Sequence, residues 1–366
     1  MEELYYLIAL SQVDKVGDVT ARTLISYCGS AEQVFKTKAS QLLKIPGIGA
    51  STAQHISKAV PDELAQAQWQ YCMKHGVKIT SYLSDDYPHR LKHYPDSPIL
   101  LYQRGSANLN PERTIGIVGT RNMSLYGEAL TEALVRDLAG MQISILSGLA
   151  YGVDTHAHRS CVEHNITTIG VMATGIDRVY PSENRRLADQ MCENGALITE
   201  YPIKTDPDRE NFPRRNRIVA AMSDALVVIE SARDGGSMIT AAYAFDYNKD
   251  VFVFPGRITD SGSSGNHLLI KQNKAQLIEN AADLKWAMAW YDETASPAKP
   301  KRELFYELDE MERCIVGLLQ DKGELHIDQL SQISGYTQGQ LANLLLQLEF
   351  KAIVKTMPGK RYALSL

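Results

Sequence analysis

Between residues 114 and 285 the chain alternates short apolar runs with longer stretches whose apolar positions recur every three or four residues. Segments 114–118, 144–146, 168–173, 196–199, 225–229 and 251–254 are apolar on both faces, which predicts buried strands. Segments 127–139, 154–164, 182–193, 213–222 and 239–247 predict helices, the first with Leu130, Leu134 and Leu138 on one face. Ser182 and Asp154 are the expected N-caps of their helices. Strands spaced by helices in this way build an α/β fold: a doubly wound, Rossmann-like parallel sheet.

The flanks follow other patterns. Residues 1–75 read as a small helical domain, and Leu42 to Gly49 (LLKIPGIG), followed by Ser51 and Thr52, reads as a helix-hairpin-helix turn. Such a turn can present backbone N–H groups to a phosphate. It serves equally as a plain connection, since only Lys44 and Lys58 add positive charge nearby. Residues 76–291 hold the sheet. Residues 292–303 (DETASPAKPKRE) change composition and read as a linker. Residues 304–366 give helix 311–320, a short apolar step at 325–327, helix 328–333 and a Gly335-Tyr336 turn. Thr337 then caps helix 338–349, and a hairpin pairs 353–357 with 361–364 around Pro358-Gly359-Lys360. Three helices and a two-stranded wing make a winged helix-turn-helix.

Composition narrows the classes. At 366 residues, 44% of them hydrophobic, two to four domains with sizeable cores are expected. The net charge of −5 gives no global polyanion signal, so any such site must come from local clustering. Cys28, Cys72, Cys161, Cys192 and Cys314 are scattered without a CxxC pair, which suits reduced thiols in the cytoplasm. The apolar run 4–10 follows Glu2 and Glu3 and is too short to span a bilayer, so no membrane association is expected.

The candidate chemistry gathers at strand ends. Segment 211–242 (NFPRRNRIVAAMSDALVVIESARDGGSMITAA) joins Phe212, Arg214, Arg215, Asn216 and Arg217 to a strand and a Gly235-Gly236-Ser237 turn. Gly119, Thr120, Arg121 and Ser124 follow the first strand; Ser147, Gly148 and Gly152 the second; Gly175 the third. Four Gly/Ser/Thr-rich loops at carboxyl ends of strands form one ligand edge suited to an anion. The spacing is not the dinucleotide GxGxxG, so no NAD cofactor is expected. Asp154, His156, His158 and His164 read as residues that cap and pack one helix, so no metal is expected. Ser147 and Ser237 lack an evident base, and no carboxylate pair is placed for acid–base work.

Seven pieces occur in order: YPHRLKHYPDSPILLYQRG, GTRNMSLYG, SGLAYGVDTHAH, TGIDRVYPSENRRL, GALITEYP, FPRRNRI and GGSMITAAYA. Over residues 82–285 the chain resembles the DNA-processing protein A (DprA/Smf) family, and both flanks fit that family's layout. The resemblance implies a dimer that binds single-stranded DNA and loads the RecA recombinase during natural transformation, with no enzyme activity. It implies that Arg121 grips a phosphate, that Arg215, Asn216 and Arg217 lie at the groove mouth, and that Phe212 stacks on a base. Gly148, Gly152, Gly235 and Ser237 would shape the groove. Arg217 paired with Glu230 or Asp224 as a structural brace is the competing reading. Tyr151 stands where a basic residue is expected, Gly235-Gly236 where Ser-Gly is expected, and His267 where asparagine is expected. A phosphoribohydrolase is the first alternative, but the stretch ESARDGGSMITAA has no glutamate at the catalytic position of its PGGxGTxxE motif. A winged-helix transcription regulator is the second. Against it, 301–366 holds eight Lys/Arg and nine Asp/Glu, with none basic in TQGQLANLLLQLEF.

Overall fold

The computed structural model describes residues 2–290, 308–351, 353–357 and 359–364. The expected linker 292–303 and Pro358 of the hairpin lie outside the described residues. The chain divides after Trp290 into two compact units.

Six helices open the first unit: α1 (Glu2–Ser11), α2 (Asp18–Cys28), α3 (Ala31–Lys36), α4 (Ala39–Leu42), α5 (Ala50–Lys58) and α6 (Pro61–His75). Pro61 starts α6 where no N–H is needed, and Gly76 ends it in the left-handed region. Next come β1 (Lys78–Ser81), α7 (His89–Lys92), β2 (Leu100–Gly105), β3 (Arg113–Val118), α8 (Leu125–Asp137), β4 (Ile143–Ser147) and α9 (Val153–Glu163). After them come β5 (Thr167–Val171), a 3-10 turn (Ser182–Asn184), α10 (Arg185–Asn194), β6 (Ala196–Thr199) and α11 (Asn211–Met222). The unit continues with β7 (Ala225–Val228), α12 (Gly236–Asp246), β8 (Asp250–Val253), a second 3-10 turn (Ser261–Ser263), α13 (Ser264–Lys271), β9 (Gln276–Leu277) and α14 (Ala281–Ala287).

The nine strands form one sheet in the order β1-β2-β6-β5-β4-β3-β7-β8-β9. From β6 to β9 every pairing is parallel. The chain steps outward from β3 through β4, β5 and β6, then returns to β7 on the other side of β3, so the doubly wound reading holds with a switch point between β3 and β7. The sheet is nevertheless mixed. β2 runs antiparallel to β6, and β1 antiparallel to β2, an edge that lies before the alternating region 114–285.

Leu7, Ile8, Leu10 and Leu24 of the front helices share one buried cluster with Leu100, Tyr102, Met172 and Leu187. The helical region is therefore packed onto the β2–β6 end of the sheet, within the same compact unit. Two N-cap expectations change. Ser182 makes no capping bond and sits in the 3-10 turn, α10 starting at Arg185. Asp154 lies inside α9, whose N-cap is Gly152.

The second unit holds α15 (Glu310–Lys322), β10 (Leu325–His326), α16 (Ile327–Ser334), α17 (Gln338–Phe350), β11 (Val354–Met357) and β12 (Arg361–Leu364). The strand order β10-β12-β11 and three helices are the expected winged helix. Thr337 caps α17 reciprocally with Gln340, and Gly335 ends α16 in the left-handed region.

Candidate functional site

A cavity of about 740 Å³ lies at the carboxyl edge of the sheet, at the switch point. Its lining comes from the loops after β3, β4, β5, β6 and β7 and from the first turns of α11 and α12. Ten of the residues singled out in the sequence line it: Gly119, Thr120, Arg121, Gly148, Phe212, Arg215, Asn216, Gly235, Gly236 and Ser237.

Arg215 forms the floor. Its side chain reaches from α11 under the sheet edge, leaving the residue 3% exposed. Its Nη1 donates to the carbonyls of Gly148 and Val171, at the ends of β4 and β5. Its Nε donates to Asn216 Oδ1 at 3.1 Å. Burial pushes its pKa down to about 10, so the guanidinium stays charged at neutral pH. All these partners are neutral oxygens. Asp154 is the carboxylate whose field favours that charge. Its Oδ2 accepts from the N–H groups of Gly148 (3.1 Å) and Ala150 (3.3 Å), fixing the loop after β4. Burial pushes the Asp154 carboxyl up, and Arg215 opposes that shift.

The rim is held from β7. Glu230 accepts from Ser124 N–H at 3.0 Å and from the Ser124 hydroxyl at 2.5 Å, and its carbonyl takes Thr120 N–H at 2.8 Å. Both ends of the loop carrying Arg121 are thus tied down. Gly152 closes this loop against the next: φ is +76°, and a Cβ there would stand 2.6 Å from Arg121 O. Arg121 itself is exposed, its Cζ 5.3 Å from the Phe212 ring centre. Phe212 lies 5.7 Å from the Tyr180 ring at 60°. The first turn of α12 also opens on the cavity, and its N-cap Gly235 supplies no capping side chain.

Six residues expected at the site do not line the cavity. Ser124 is bound to Glu230 and caps α8 through Gly127 N–H at 3.1 Å. Ser147 is buried, its hydroxyl given to Ile117 O at 2.5 Å. Gly152 sits behind the rim as described, and Gly175 packs against the backbone of Pro202 and Ile203. Arg214 and Arg217 leave α11 on another side, because successive residues turn by about 100° around a helix. Arg217 is buried against Glu200 (2.6 Å) and Asp18 (3.3 Å), and Arg214 stands 3.4 Å from Asp18. Arg217 is therefore a brace, with partners other than the two expected. Glu230 serves the rim, and Asp224 pairs with Arg90 at 2.7 Å. Burial pushes Glu200 up to about 7, against the pull of Arg217.

Other side chains have local roles. His158 is fully buried with Nδ1 2.7 Å from Thr168 Oγ1, and burial pushes its pKa down to about 3. His164 Nδ1 contacts Ser160 O at 2.9 Å, and His267 Nε2 contacts Gly256 O at 3.0 Å. Among the described residues no group of three His, Cys, Asp or Glu side chains is placed to hold a metal. No described helix is long and apolar enough to cross a membrane. The sequence reading missed Arg209, exposed at the cavity, and Tyr180, 41% exposed at its mouth. Arg209 sits among Asp206, Asp208 and Glu210, which hid it as a cation.

Comparison with known proteins bears on this geometry. Residues 78–288 match the family model described as DNA recombination-mediator protein A. Residues 7–60 match a SAM-like helix-hairpin-helix tandem, and 295–360 a DprA winged helix domain. Protein Smf of Synechocystis is 31% identical over 98% of both chains. DNA processing protein DprA of Bacillus subtilis is 37% identical over 57% of this chain and 70% of its own. The X-ray structure of DprA from Streptococcus pneumoniae superposes with TM-score 0.68 at 28% identity, covering 79% of this chain and 98% of that one. A structure of DNA processing protein A from Helicobacter pylori, described for its single-stranded DNA binding mode, gives TM-score 0.54 at 29% identity, covering 59% and 98%.

Proposed function

The chain belongs to the DNA-processing protein A (DprA/Smf) family, and from that premise we propose that its switch-point cavity holds single-stranded DNA. The observation that carries this is Arg215, a buried guanidinium lining the cavity whose hydrogen bonds all go to neutral oxygens. The Asp154 carboxylate already favours that charge, and a phosphodiester at the cavity would add a second anion and acceptors for the guanidinium. Arg121 and Arg209 add two exposed cations at the same cavity. Phe212 offers a ring face to a base. A base reaches that face only from an unpaired strand, which selects single-stranded over duplex DNA.

No reaction is assigned. Ser237 gives its hydroxyl to Ser231 at 2.7 Å, not to a base, and Ser147 is bound to a carbonyl. The bound strand is the substrate of a handover: a homodimer of this chain holds single-stranded DNA and loads RecA onto it in the cytoplasm. The winged helix is not the duplex reader in this proposal, since α17 carries no Lys or Arg.

Fluorescence anisotropy with a labelled single strand and a labelled duplex, across salt, tests the reading. Single strands should bind about tenfold tighter or more, and log affinity should fall with log salt by roughly 0.7 for each phosphate held. Arg121→Glu should abolish both binding and stimulation of RecA filament formation. Equal affinity for duplex, or affinity indifferent to salt, would refute the proposal.

A further inference from the structure

The segment between β6 and α11, residues 201–210, is an arm that carries Pro207 and Arg209 to the cavity. Its ends are closed on each other, the Tyr201 hydroxyl donating to Asn211 O at 3.3 Å. Asp206 pairs with Arg178 of the loop after β5, so this acid of the arm is engaged away from Arg209. Arg209 is exposed at the cavity, and its position depends on how the arm is held.

The root of the arm is held from two sides. The inward stripe of α6 is Ala65, Gln68 and Cys72. A helix packed on an apolar core calls for an apolar side chain at the middle position, and an amide buried there without a partner would destabilise the fold. Gln68 is 1% exposed and engaged at both polar atoms: its Oε1 accepts from Ile203 N–H at 2.6 Å, and its Nε2 donates to Cys72 Sγ at 3.3 Å. The Ile203 side chain packs on the cluster that holds Leu7 and Leu10 of the front helices. One residue on, Lys204 has φ +66°, a left-handed conformation that a residue with a side chain keeps only where its surroundings impose it. The Asp177 carboxylate imposes it, both oxygens accepting from Lys204 N–H at 3.1 Å. Thr205 then turns back, its hydroxyl donating to Pro202 O at 2.8 Å.

We propose that Gln68 and Asp177 are positioning residues for strand binding: by holding the arm at Ile203 and Lys204, they place Arg209 where it meets a phosphate of the bound strand. Neither residue lines the cavity. The proposal rests on the single-stranded-DNA reading of the cavity, and it gives a side chain of the front helices a part in setting affinity. Loss of the Gln68 acceptor leaves the Ile203 N–H unpaired, which the chain relieves by shifting the root toward water. The shift passes along the arm and withdraws Arg209 from its phosphate.

Anisotropy titration of the full chain with an oligothymidylate at several salt concentrations separates positioning from plain support. Arg209→Ala is the reference. It should reduce the slope of log affinity against log salt by about 0.7, which at about 0.1 M salt weakens binding about fivefold. Gln68→Met keeps the volume and removes the acceptor, and it should lose the same slope although residue 68 carries no charge. Combined with Arg209→Ala it should change neither affinity nor slope further, because both act through one contact. Asp177→Ala should behave likewise; removing a negative charge would by itself raise affinity, so a loss reports the arm. The proposal is overturned if Gln68→Met keeps the wild-type slope, whatever its melting point, or if its effect adds to that of Arg209→Ala. If Gln68→Met does not fold, Asp177→Ala decides by the same two criteria. Should Arg209→Ala keep the wild-type slope while Arg121→Ala loses part of it, the arm is overturned and the cavity reading stands. Salt-independent binding by wild type would overturn both.

Discussion

Two arginines at one cavity should respond to alanine in different ways. Arg215 is buried and donates to the carbonyls of Gly148 and Val171. Hydrogen bonds from a charged donor contribute about 1.5–3 kcal/mol each, so two would give about 3–6 kcal/mol. Water entering the open cavity can reach the freed carbonyls, which brings the expected loss toward about 3 kcal/mol. For a unit of this size that corresponds to a melting point lower by roughly 5–8 °C. Arg121 is exposed, and its visible partner is the Phe212 ring. An exposed cation–π pair is worth about 0.5–1 kcal/mol, so Arg121→Ala should melt within about 2 °C of wild type. Its effect should fall on the strand: weaker binding, with a salt slope smaller by about 0.7 because one phosphate is no longer neutralised. Thermal melts followed by circular dichroism, with anisotropy titrations at several salt concentrations, read both quantities. An Arg215→Ala protein that melts like wild type would refute the structural half of the argument. An Arg121→Ala protein that melts as low as Arg215→Ala while keeping its salt slope would refute the other.

Two further outcomes follow from burial and charge. His158 titrates near 3 when folded and near 6.5 when unfolded, so the unfolded chain binds the extra proton between those values. Stability then falls as pH drops through that window, by about 1.4 kcal/mol per unit, and the group adds no pH dependence above it. In urea melts at neutral and mildly acidic pH, His158→Gln should lose less stability on acidification than wild type by that slope; parallel behaviour would exclude a neutral buried imidazole. Removing residues 304–366 should leave single-strand affinity within about threefold, since that segment carries six Lys/Arg against eight Asp/Glu, whereas a tenfold loss in the same titration would place the winged helix in the strand site.

The sheet was legible because its parallel strands are apolar on both faces and its helices are not. The period changes at each boundary, and the Gly-rich loops mark the carboxyl ends. β1 and β2 were not legible because they pair antiparallel and precede the regular strand–helix alternation of 114–285. The two-residue β9 is too short for any periodicity to register. At the site, the cluster Arg214, Arg215, Arg217 looked like one feature because the residues are neighbours in sequence. Helical rotation splits it, sending Arg215 to the cavity and Arg217 to Asp18 and Glu200. Ser124 and Ser147 looked available because their partners, Glu230 and Ile117, lie 106 and 30 residues away. No local pattern encodes such distances. Of the six expected glycines, Gly119, Gly148, Gly235 and Gly236 line the cavity, while Gly152 and Gly175 mark close backbone approaches away from it.

α11 is a beam shared by two rooms. On one side Phe212, Arg215 and Asn216 furnish the cavity; on the other, Arg214 and Arg217 are bolted to Asp18 at the head of α2. Asp18 is itself anchored to the sheet through Ile99 N–H at 3.0 Å. The front helices are thus a supporting wall of the cavity, and a fragment trimmed to the sheet alone would keep every cavity residue while losing the wall that holds α11 in place. Leu7, Ile8 and Leu10 would no longer cover Leu100 and Tyr102, and Arg217 would keep only Glu200. The smallest portable form of this cavity is the whole first unit, front helices included.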